Sequence, residues 1–258
     1  MNDRFSRLWA TKNNDDEWWA SFVTSPLAIL ANYAVVDIKW LTPNLITLVS
    51  FLTAVASAPF IVVGGTTNFL IAAVLIQLSF VFDCMDGQMA RYRNSSTATG
   101  SYYDRVSDQI QITIWFGAVA YAAWVQSNEV IPIFLAFFGT AFYFLRGYVK
   151  YVAIHVEMSR DRDYLERIAQ HTKANQKAAV AGPGFGVVAN FRWFIAEQKK
   201  IFRFNEGVLI FMLSLALVLN QLTPMLWVFF ASQLFHGLFR SWQHGNTIDL
   251  NQPIPIEK

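Results

Sequence analysis

Long apolar stretches separated by short polar turns dominate the pattern of hydrophobic and polar positions along the chain. No charged residue lies between Lys39 and Asp83, and none lies from Gly207 to Phe239. About 20 apolar residues in a helix are enough to cross the hydrocarbon core of a membrane. The pattern therefore predicts an all-α integral membrane protein.

Composition agrees with this prediction. Hydrophobic residues make up 54% of the 258 residues, and charged residues only 15%. Soluble domains contain about 25% charged residues, so a soluble domain with a large core is disfavoured.

Turn residues divide the apolar stretches into six predicted transmembrane helices. Glycine and polar residues interrupt the apolar runs near 64–68, 126–129 and 220–223, and a polar loop covers 94–99. The predicted helices cover residues 43–63, 68–91, 100–125, about 130 onward into a cytosolic extension, 205–220 and 224–242.

The positions of the basic residues predict the orientation. None of the 20 lysine and arginine residues falls in the turns at 64–68, 126–129 and 220–223. Because cytosolic segments carry the excess of Lys and Arg, we expect both termini in the cytosol. The chain is predicted to be a multi-pass protein of the cell (inner) membrane, and the charged segment after residue 82 then faces the cytosol.

The N-terminal region, residues 1–40, is predicted to lie outside the membrane core. We expect a solvated tail up to about residue 17, followed by an amphipathic helix lying on the membrane surface. A short transmembrane segment at 17–37 is the alternative. The predicted interfacial anchors at headgroup depth are aromatic, namely Trp18, Trp19 and Phe22.

The predicted six-helix domain covers residues 41–242, and residues 243–258 are predicted to form a polar C-terminal tail. Within the domain, the segment at about 158–203 is polar and basic, which is typical of a cytosolic region. Its glycines follow no strand and lack the spacing of a dinucleotide fingerprint, so a nucleotide cradle is not predicted for Gly182, Gly184 and Gly186.

Charge and cysteine content narrow the function classes. A net charge of +2 implies no nucleic-acid partner. The single cysteine, Cys84, excludes an intramolecular disulfide and a multi-cysteine metal site. We interpret Cys84 as a small apolar filler between two acidic residues.

Four aspartates lie between two apolar runs, where burial of a carboxylate is costly and usually functional. Asp83 and Asp86 are three residues apart and share one side of a helix. Gly100, Asp104 and Asp108 follow at intervals of four residues and form a second single-faced stripe. If the two faces meet, the carboxylates repel one another unless cations lie between them. Hard oxygen ligands favour magnesium, manganese or calcium over zinc.

The gaps between these residues resemble the signature of the CDP-alcohol phosphotransferases (CDP-alcohol phosphatidyltransferases) at all eight fixed positions. The matching segment reads Asp83-x-x-Asp86-Gly87-x-x-Ala90-Arg91, eight residues, then Gly100-x-x-x-Asp104-x-x-x-Asp108. This family cleaves the pyrophosphate of a CDP-linked alcohol and joins its phosphoryl-alcohol part to an acceptor hydroxyl, releasing CMP. The six-helix pattern also resembles the family.

The resemblance implies a role for each motif residue. Asp83, Asp86 and Asp104 would hold one Mg²⁺ or Mn²⁺ ion, and Asp83, Asp104 and Asp108 a second. Asp108 would also be the general base that deprotonates the acceptor hydroxyl. The expected residues of the CDP and substrate site are Gly87, Ala90, Arg91 and Gly100.

The same resemblance makes CDP-diacylglycerol the expected donor and a small polar alcohol the expected acceptor, in phospholipid biosynthesis. The alternative is transfer from a polar CDP-alcohol to a lipid or polyol. A phosphorylated acceptor would need basic residues near the ions, for which the candidates are Arg146, Lys150 and Arg203. Arg146 and Lys150 share a helix face and are equally consistent with a pair that snorkels to the interface.

A function of a different class also fits some of these features. The four aspartates could form the ion site of a divalent-cation transporter, and small residues such as Ala90 often serve close helix packing. The aspartates lie at helix ends and no repeat is visible, which favours the enzyme.

Family members are commonly homodimers, and the phenylalanine-rich segment at 134–144 is a plausible contact face.

Overall fold

The computed structural model describes residues 3–13, 17–166, 169–170 and 186–249, and its elements there are helical. A π-helical turn, Ala20–Thr24, precedes α2, and a 3₁₀ turn, Ile201–Arg203, precedes α8. The α-helices are α1 (Asp3–Trp9), α2 (Ser25–Val35), α3 (Pro43–Val63), α4 (Thr66–Tyr92), α5 (Ala98–Ser127), α6 (Ile131–Arg160), α7 (Val187–Gln198), α8 (Glu206–Val218) and α9 (Leu222–Asp249).

The six predicted long helices are confirmed as α3, α4, α5, α6, α8 and α9. Local chemistry explains the boundaries at the start of α3 and α5, because the side chains of Thr42 and Thr97 cap the first turns. The predicted turns are confirmed by left-handed backbone at Asn128 and Asn220, with φ of 54° and 53°. The Gln126 side chain donates to Asn220 Oδ1 at 2.8 Å, which joins these two turns.

Four of these helices, namely α3, α4, α6 and α9, are long and apolar enough to cross a membrane. By contrast, α8 has only 13 residues, and the first turns of α5 carry charged residues. A multi-pass membrane protein is therefore supported by length and composition. The count of six spans and the cytosolic termini stay predictions.

Both ends of the chain are more helical than we expected. The solvated tail predicted up to residue 17 is wrong in part, because α1 buries Leu8 completely. Phe5, Leu8 and Trp9 lie on one face of α1, and this apolar face packs against α2 and α4. At the other end, α9 continues to Asp249 instead of ending at 242, since no proline occurs between Pro224 and Pro253.

The basic segment at about 158–203 contains a helix that the sequence did not suggest. Gly182 and Gly184 lie outside the described residues, while Gly186 adopts a φ of 81° directly before α7. Two aromatic residues of α7 contact the predicted interfacial anchors: Phe194 lies 5.4 Å from Trp18, and Trp193 lies 5.4 Å from Phe22, between ring centroids. The interfacial position of this aromatic cluster stays a prediction.

Helix α4 lies at the centre of the bundle and packs against α2, α3 and α8. Gln77 of α4 accepts a hydrogen bond from Trp19 Nε1 at 2.9 Å and donates to Ser214 Oγ of α8 at 2.9 Å. Buried polar groups in an apolar bundle must be paired, so this side chain fixes the N-terminal segment and α8 on one side of α4.

Candidate active site

Three carboxylates converge where α4 approaches α5. Oxygen atoms of Asp83 from α4 and of Asp104 and Asp108 from α5 all lie within 4.8 Å of one another. The spacing of four residues places Asp104 and Asp108 on one face of α5, and the packing of α3 against both helices orients that face. The structure thus brings together three of the four predicted aspartates.

The fourth aspartate, Asp86, is 7% exposed and lies one turn further along α4. Its Oδ2 accepts a hydrogen bond of 2.5 Å from the Thr47 hydroxyl of α3. Asp86 lines the same cavity as the other three but does not belong to their tight cluster. Its carboxylate is therefore oriented by a residue outside the motif.

A cavity of about 190 Å³ adjoins the carboxylates. All four motif aspartates, Gly87 and Arg91 contribute to its wall. Residues outside the motif that line it include Asn13, Glu17, Ala20, Ser25, Gln88 and Glu206. The N-terminal segment and the start of α8 thus contribute to the wall of the cavity together with α4 and α5.

Arg91 lies across Gly87 and reaches the N-terminal segment. A Cβ atom at Gly87 would lie 3.2 Å from Arg91 Nη1, so the absence of a side chain makes room for the guanidinium. Arg91 Nε donates to the Thr11 carbonyl at 2.7 Å. The motif arginine therefore joins the wall of the cavity to residues 3–13.

Gly100 and Ala90 lie near the ends of their helices and are not among the residues that line the described cavity. A Cβ atom at Gly100 would lie 3.1 Å from Asn44 Oδ1, where α5 approaches the start of α3. The Ala90 carbonyl accepts a hydrogen bond from Ser95 N at 2.9 Å, where α4 ends. Their expected contact with the substrate stays a prediction.

The three basic candidates lie apart from this cavity wall. The Arg146 guanidinium lies 4.9 Å from the centre of the Tyr143 ring and donates a hydrogen bond to the Arg203 carbonyl. Its charge also interacts with those of Arg203 and Arg240. Neither cavity described beside the carboxylates has Arg146, Lys150 or Arg203 in its wall.

Sequence reasoning missed two acidic residues of the site, Glu17 and Glu206. Both line the larger cavity. Glu206 also lines a second cavity of about 20 Å³ together with Asp83 and Asp108. A signal for Glu206 was available, since it is the last charged residue before the charge-free stretch 207–239.

The donor set fits a hard divalent cation. Asp83, Asp104 and Asp108 each offer a carboxylate oxygen within a space of 4.8 Å, and such oxygens are the ligands that Mg²⁺ and Mn²⁺ take. Three negative charges at this distance repel one another strongly without a counter-ion. The cluster contains the three aspartates that were predicted for the second ion site, and the identity and number of the ions stay predictions.

Comparisons with known proteins show the family of this chain. A sequence profile of the CDP-alcohol phosphatidyltransferase family matches residues 40–234. The bifunctional IPC transferase and DIPP synthase of Thermococcus kodakarensis is 32% identical over 99 residues, which are 38% of this chain and 21% of that protein. The match thus spans about a fifth of that relative.

A solved structure has the same fold. The phosphatidylinositol phosphate synthase of Mycobacterium tuberculosis, with CDP-DAG bound, superposes with a TM-score of 0.51 at 16% sequence identity. The superposition covers 92% of this chain and 98% of that one. At this level of identity the likeness shows the fold.

Proposed function

Because the chain belongs to the CDP-alcohol phosphatidyltransferase family, we propose that it transfers a phosphatidyl group from CDP-diacylglycerol to the hydroxyl of a small polar alcohol. CMP is the second product, and phospholipid biosynthesis is the expected process. The convergence of Asp83, Asp104 and Asp108 is the observation that carries this proposal. It supplies the carboxylates that a metal-dependent transfer of a substituted phosphate requires.

The proposed cofactor is a pair of Mg²⁺ or Mn²⁺ ions. Asp83, Asp104 and Asp108 would hold one ion, and Asp83, Asp86 and Asp104 the other. Bound divalent ions neutralise the charge of a diphosphate and polarise its phosphorus. The Thr47 hydroxyl keeps Asp86 in one orientation for this purpose.

Asp108 is the proposed general base of the transfer. The acceptor oxygen forms a bond to the phosphorus that carries the lipid alcohol, and its proton passes to the Asp108 carboxylate. The bond between that phosphorus and the bridging oxygen breaks, and CMP leaves with the electron pair. Asp108 acts mainly by position, since a correctly placed carboxylate contributes about 10²- to 10⁴-fold to such a step.

The cavity beside the carboxylates is the proposed site of the cytidine and phosphates. Gly87 leaves room for the Arg91 side chain, whose guanidinium would contact phosphate oxygens. Ala90 and Gly100 would keep the approach between α4 and α5 narrow. A relative of the same fold binds CDP-DAG, which supports a lipid-linked donor for this chain.

Arg146, Lys150 and Arg203 are the proposed contacts for a phosphorylated acceptor. Support comes from their cationic neighbourhood, because Arg146 interacts electrostatically with Arg203 and Arg240. Arg146→Glu should then reduce turnover of phosphorylated acceptors more than that of uncharged ones. Equal activity of Arg146→Glu and the unmodified protein with all phosphorylated acceptors would argue against this assignment.

The bilayer is the second proposed partner, with the protein in the cell (inner) membrane and the site facing the cytosol. Exposed aromatic residues on α6 provide a contact face for the proposed homodimer, namely Phe134, Phe137 and Phe138.

A screen of donors and acceptors tests the proposed reaction. The purified protein is incubated with Mg²⁺, CDP-diacylglycerol and a panel of small alcohols, and CMP release is measured. A second arm uses polar CDP-alcohols with lipid or polyol acceptors, which is the alternative direction of transfer. Asp108→Asn is the control that should lose activity, and addition of EDTA should do the same.

The outcomes separate the candidate functions. CMP release only with CDP-diacylglycerol supports the proposal, whereas release only in the second arm supports the alternative direction. No release from any donor, together with divalent-ion flux in vesicles, would instead support a cation transporter.

A further inference from the structure

Glu206 occupies a position in the site that the motif does not explain. It is the first residue of α8 and lies in the walls of both cavities beside the carboxylates. Asp83 and Asp108 are the other acidic residues that line both. Glu206 therefore lines the same cavities as the proposed general base, but it belongs to a different element, α8, which packs against α4.

The turn that leads to Glu206 holds an unfavourable backbone conformation. Phe204 has a φ of 48° and is completely buried, and its ring meets the Phe229 ring edge-on at 5.3 Å. A bulky residue rarely adopts positive φ, and such a conformation persists only when its surroundings enforce it. Strain of this kind is concentrated at functional sites.

Side chains of two other helices enforce the conformation of this turn. Arg146 of α6 and Gln233 of α9 donate hydrogen bonds to the Arg203 carbonyl, and Ser232 donates to the Phe202 carbonyl. The turn directly before α8 is thus held in place by side chains of α6 and α9. Its geometry determines where Glu206 enters the cavity.

The first turn of α8 is also fixed on its other side. A Cβ atom at Gly207 would lie 3.2 Å from Glu17 Oε2 and 3.3 Å from Ala20 N, so this glycine permits close contact with the N-terminal segment. The side chain of Gln77 joins Trp19 to Ser214 of α8. The position of Glu206 is consequently fixed from both sides, and this exposed residue lines the cavity.

Glu206 does not belong to the cluster of oxygens that fits a metal ion, which contains Asp83, Asp104 and Asp108. An ionised carboxylate offers only hydrogen-bond acceptors. The Glu206 carboxylate therefore suits a ligand that carries a hydrogen-bond donor. The acceptor alcohol is such a ligand, because its reacting hydroxyl must lie at Asp108, beside Glu206.

We propose that Glu206 is a specificity-determining residue that binds the acceptor alcohol through a second hydrogen-bond donor near the reacting hydroxyl. The inference rests on the proposed function of the site. It predicts that the acceptor carries a neighbouring hydroxyl or ammonium group. One donor group of the acceptor contacts Asp108 and the other contacts Glu206, which fixes the hydroxyl in the attacking position.

The test compares Glu206→Ala with the unmodified protein on two acceptors. One is the acceptor found in the CMP-release screen, and the other is its analogue that lacks the second donor group. A hydrogen bond to a charged group corresponds to an effect of roughly 10- to 100-fold. We expect Glu206→Ala to raise the KM of the full acceptor by about this factor, and to change the KM of the CDP-linked donor less. With the shortened analogue, the two proteins should have similar kcat/KM.

Glu206→Gln identifies the second donor group. The amide still accepts a hydrogen bond but carries no charge, so it should retain most activity with a neighbouring hydroxyl and lose it with an ammonium group. Glu197→Gln is the matched control, because Glu197 contacts Lys200 and lies outside both cavities. Thermal unfolding of each variant separates a loss of fold from a loss of acceptor binding.

The results also separate this inference from the proposed function. An unmodified protein that releases no CMP with any donor and acceptor would overturn both. An active protein in which Glu206→Ala affects both acceptors equally, or changes only the requirement for Mg²⁺, would overturn the role of Glu206 alone.

Discussion

The hydroxyl of Thr47 donates a hydrogen bond of 2.5 Å to Asp86 Oδ2, although 39 residues separate the two in the chain. Thr47 lies in the second turn of α3, and Asp86 lies near the end of α4. Residues that orient a ligand are often as important for metal binding as the ligand itself. This pair therefore connects the packing of α3 against α4 to the proposed ion site.

Thr47→Val should weaken metal activation while leaving the fold intact. Valine matches threonine in shape but cannot donate a hydrogen bond, so Asp86 loses its fixed orientation. We expect the Mg²⁺ concentration for half-maximal CMP release to rise about 10-fold. Thr47→Ser retains the hydroxyl and should behave like the unmodified protein. An unchanged Mg²⁺ requirement in Thr47→Val would show that Asp86 needs no such support.

Helical spacing made the acidic cluster predictable from the sequence. Intervals of four residues are local, so they place Asp104 and Asp108 on one face of a helix whatever surrounds it. The same holds for α3 and α4. Their apolar length and the turn residues between them can be read from short stretches of the sequence. The main helices and the acidic cluster could therefore be predicted without any information on how the helices pack.

Contacts between distant segments were not predictable in this way. Thr47 and Glu206 belong to the site only because α3 and α8 pack against α4. Leu8 is buried by residues of α2 and α4, so its charged surroundings misleadingly suggested a solvated tail. Contacts between residues that are far apart in the chain depend on the tertiary fold, and a single sequence does not show them directly.

Replacing Arg93 should lower the stability of the protein, whereas replacing Arg91 should weaken the binding of the CDP-linked donor. Arg93 donates four hydrogen bonds to the carbonyls of Val36, Ile38 and Leu41, which hold the linker between α2 and α3. Arg93→Ala leaves these groups without their donors and should destabilise the protein by roughly 2–3 kcal/mol. Thermal unfolding in detergent measures the effect.

Arg91 instead lines the proposed nucleotide site, and its Nε donates a hydrogen bond to the Thr11 carbonyl. Arg91→Ala should raise the KM of the CDP-linked donor by about 10-fold, which is the effect of one charge-assisted hydrogen bond, with little change in Tm. Equal losses of Tm in Arg91→Ala and Arg93→Ala would contradict this division of roles.

Gly139 should be essential for the packing of α6 against α9. A Cβ atom at this position would lie 2.7 Å from Phe229 Cδ1 and 3.4 Å from the backbone of Phe230. Gly139→Ala forces the helices apart, and overpacking of this kind costs about 1–3 kcal/mol. Tm should therefore fall.

Gly147 provides the matched control on the same helix. Apart from the backbone of its own helix and its chain neighbours, no heavy atom of the described residues lies within 4 Å of a Cβ atom built there. Alanine has the higher helix propensity, so Gly147→Ala should leave Tm unchanged or raise it. A lower Tm for both variants would mean that helix flexibility, not the contact with Phe229, is what alanine disturbs.

Cys84 offers a direct measurement of nucleotide binding. It is the single cysteine of the chain and lines the cavity between Asp83 and Asp86. Its Sγ lies 3.7 Å from Thr24 Oγ1, and the residue is only partly buried. A maleimide that enters the cavity can therefore react with this thiol alone.

CMP and Mg²⁺ together should slow the alkylation of Cys84, because the nucleotide fills the space through which the reagent enters. We expect a reduction of the labelling rate by about 10-fold at a nucleotide concentration ten times its Kd, since about one tenth of the protein then remains unoccupied. In Asp83→Asn, which lacks one proposed ion ligand, the same CMP concentration should protect much less. Protection that is equally strong without Mg²⁺ would show that CMP binds independently of the carboxylate cluster.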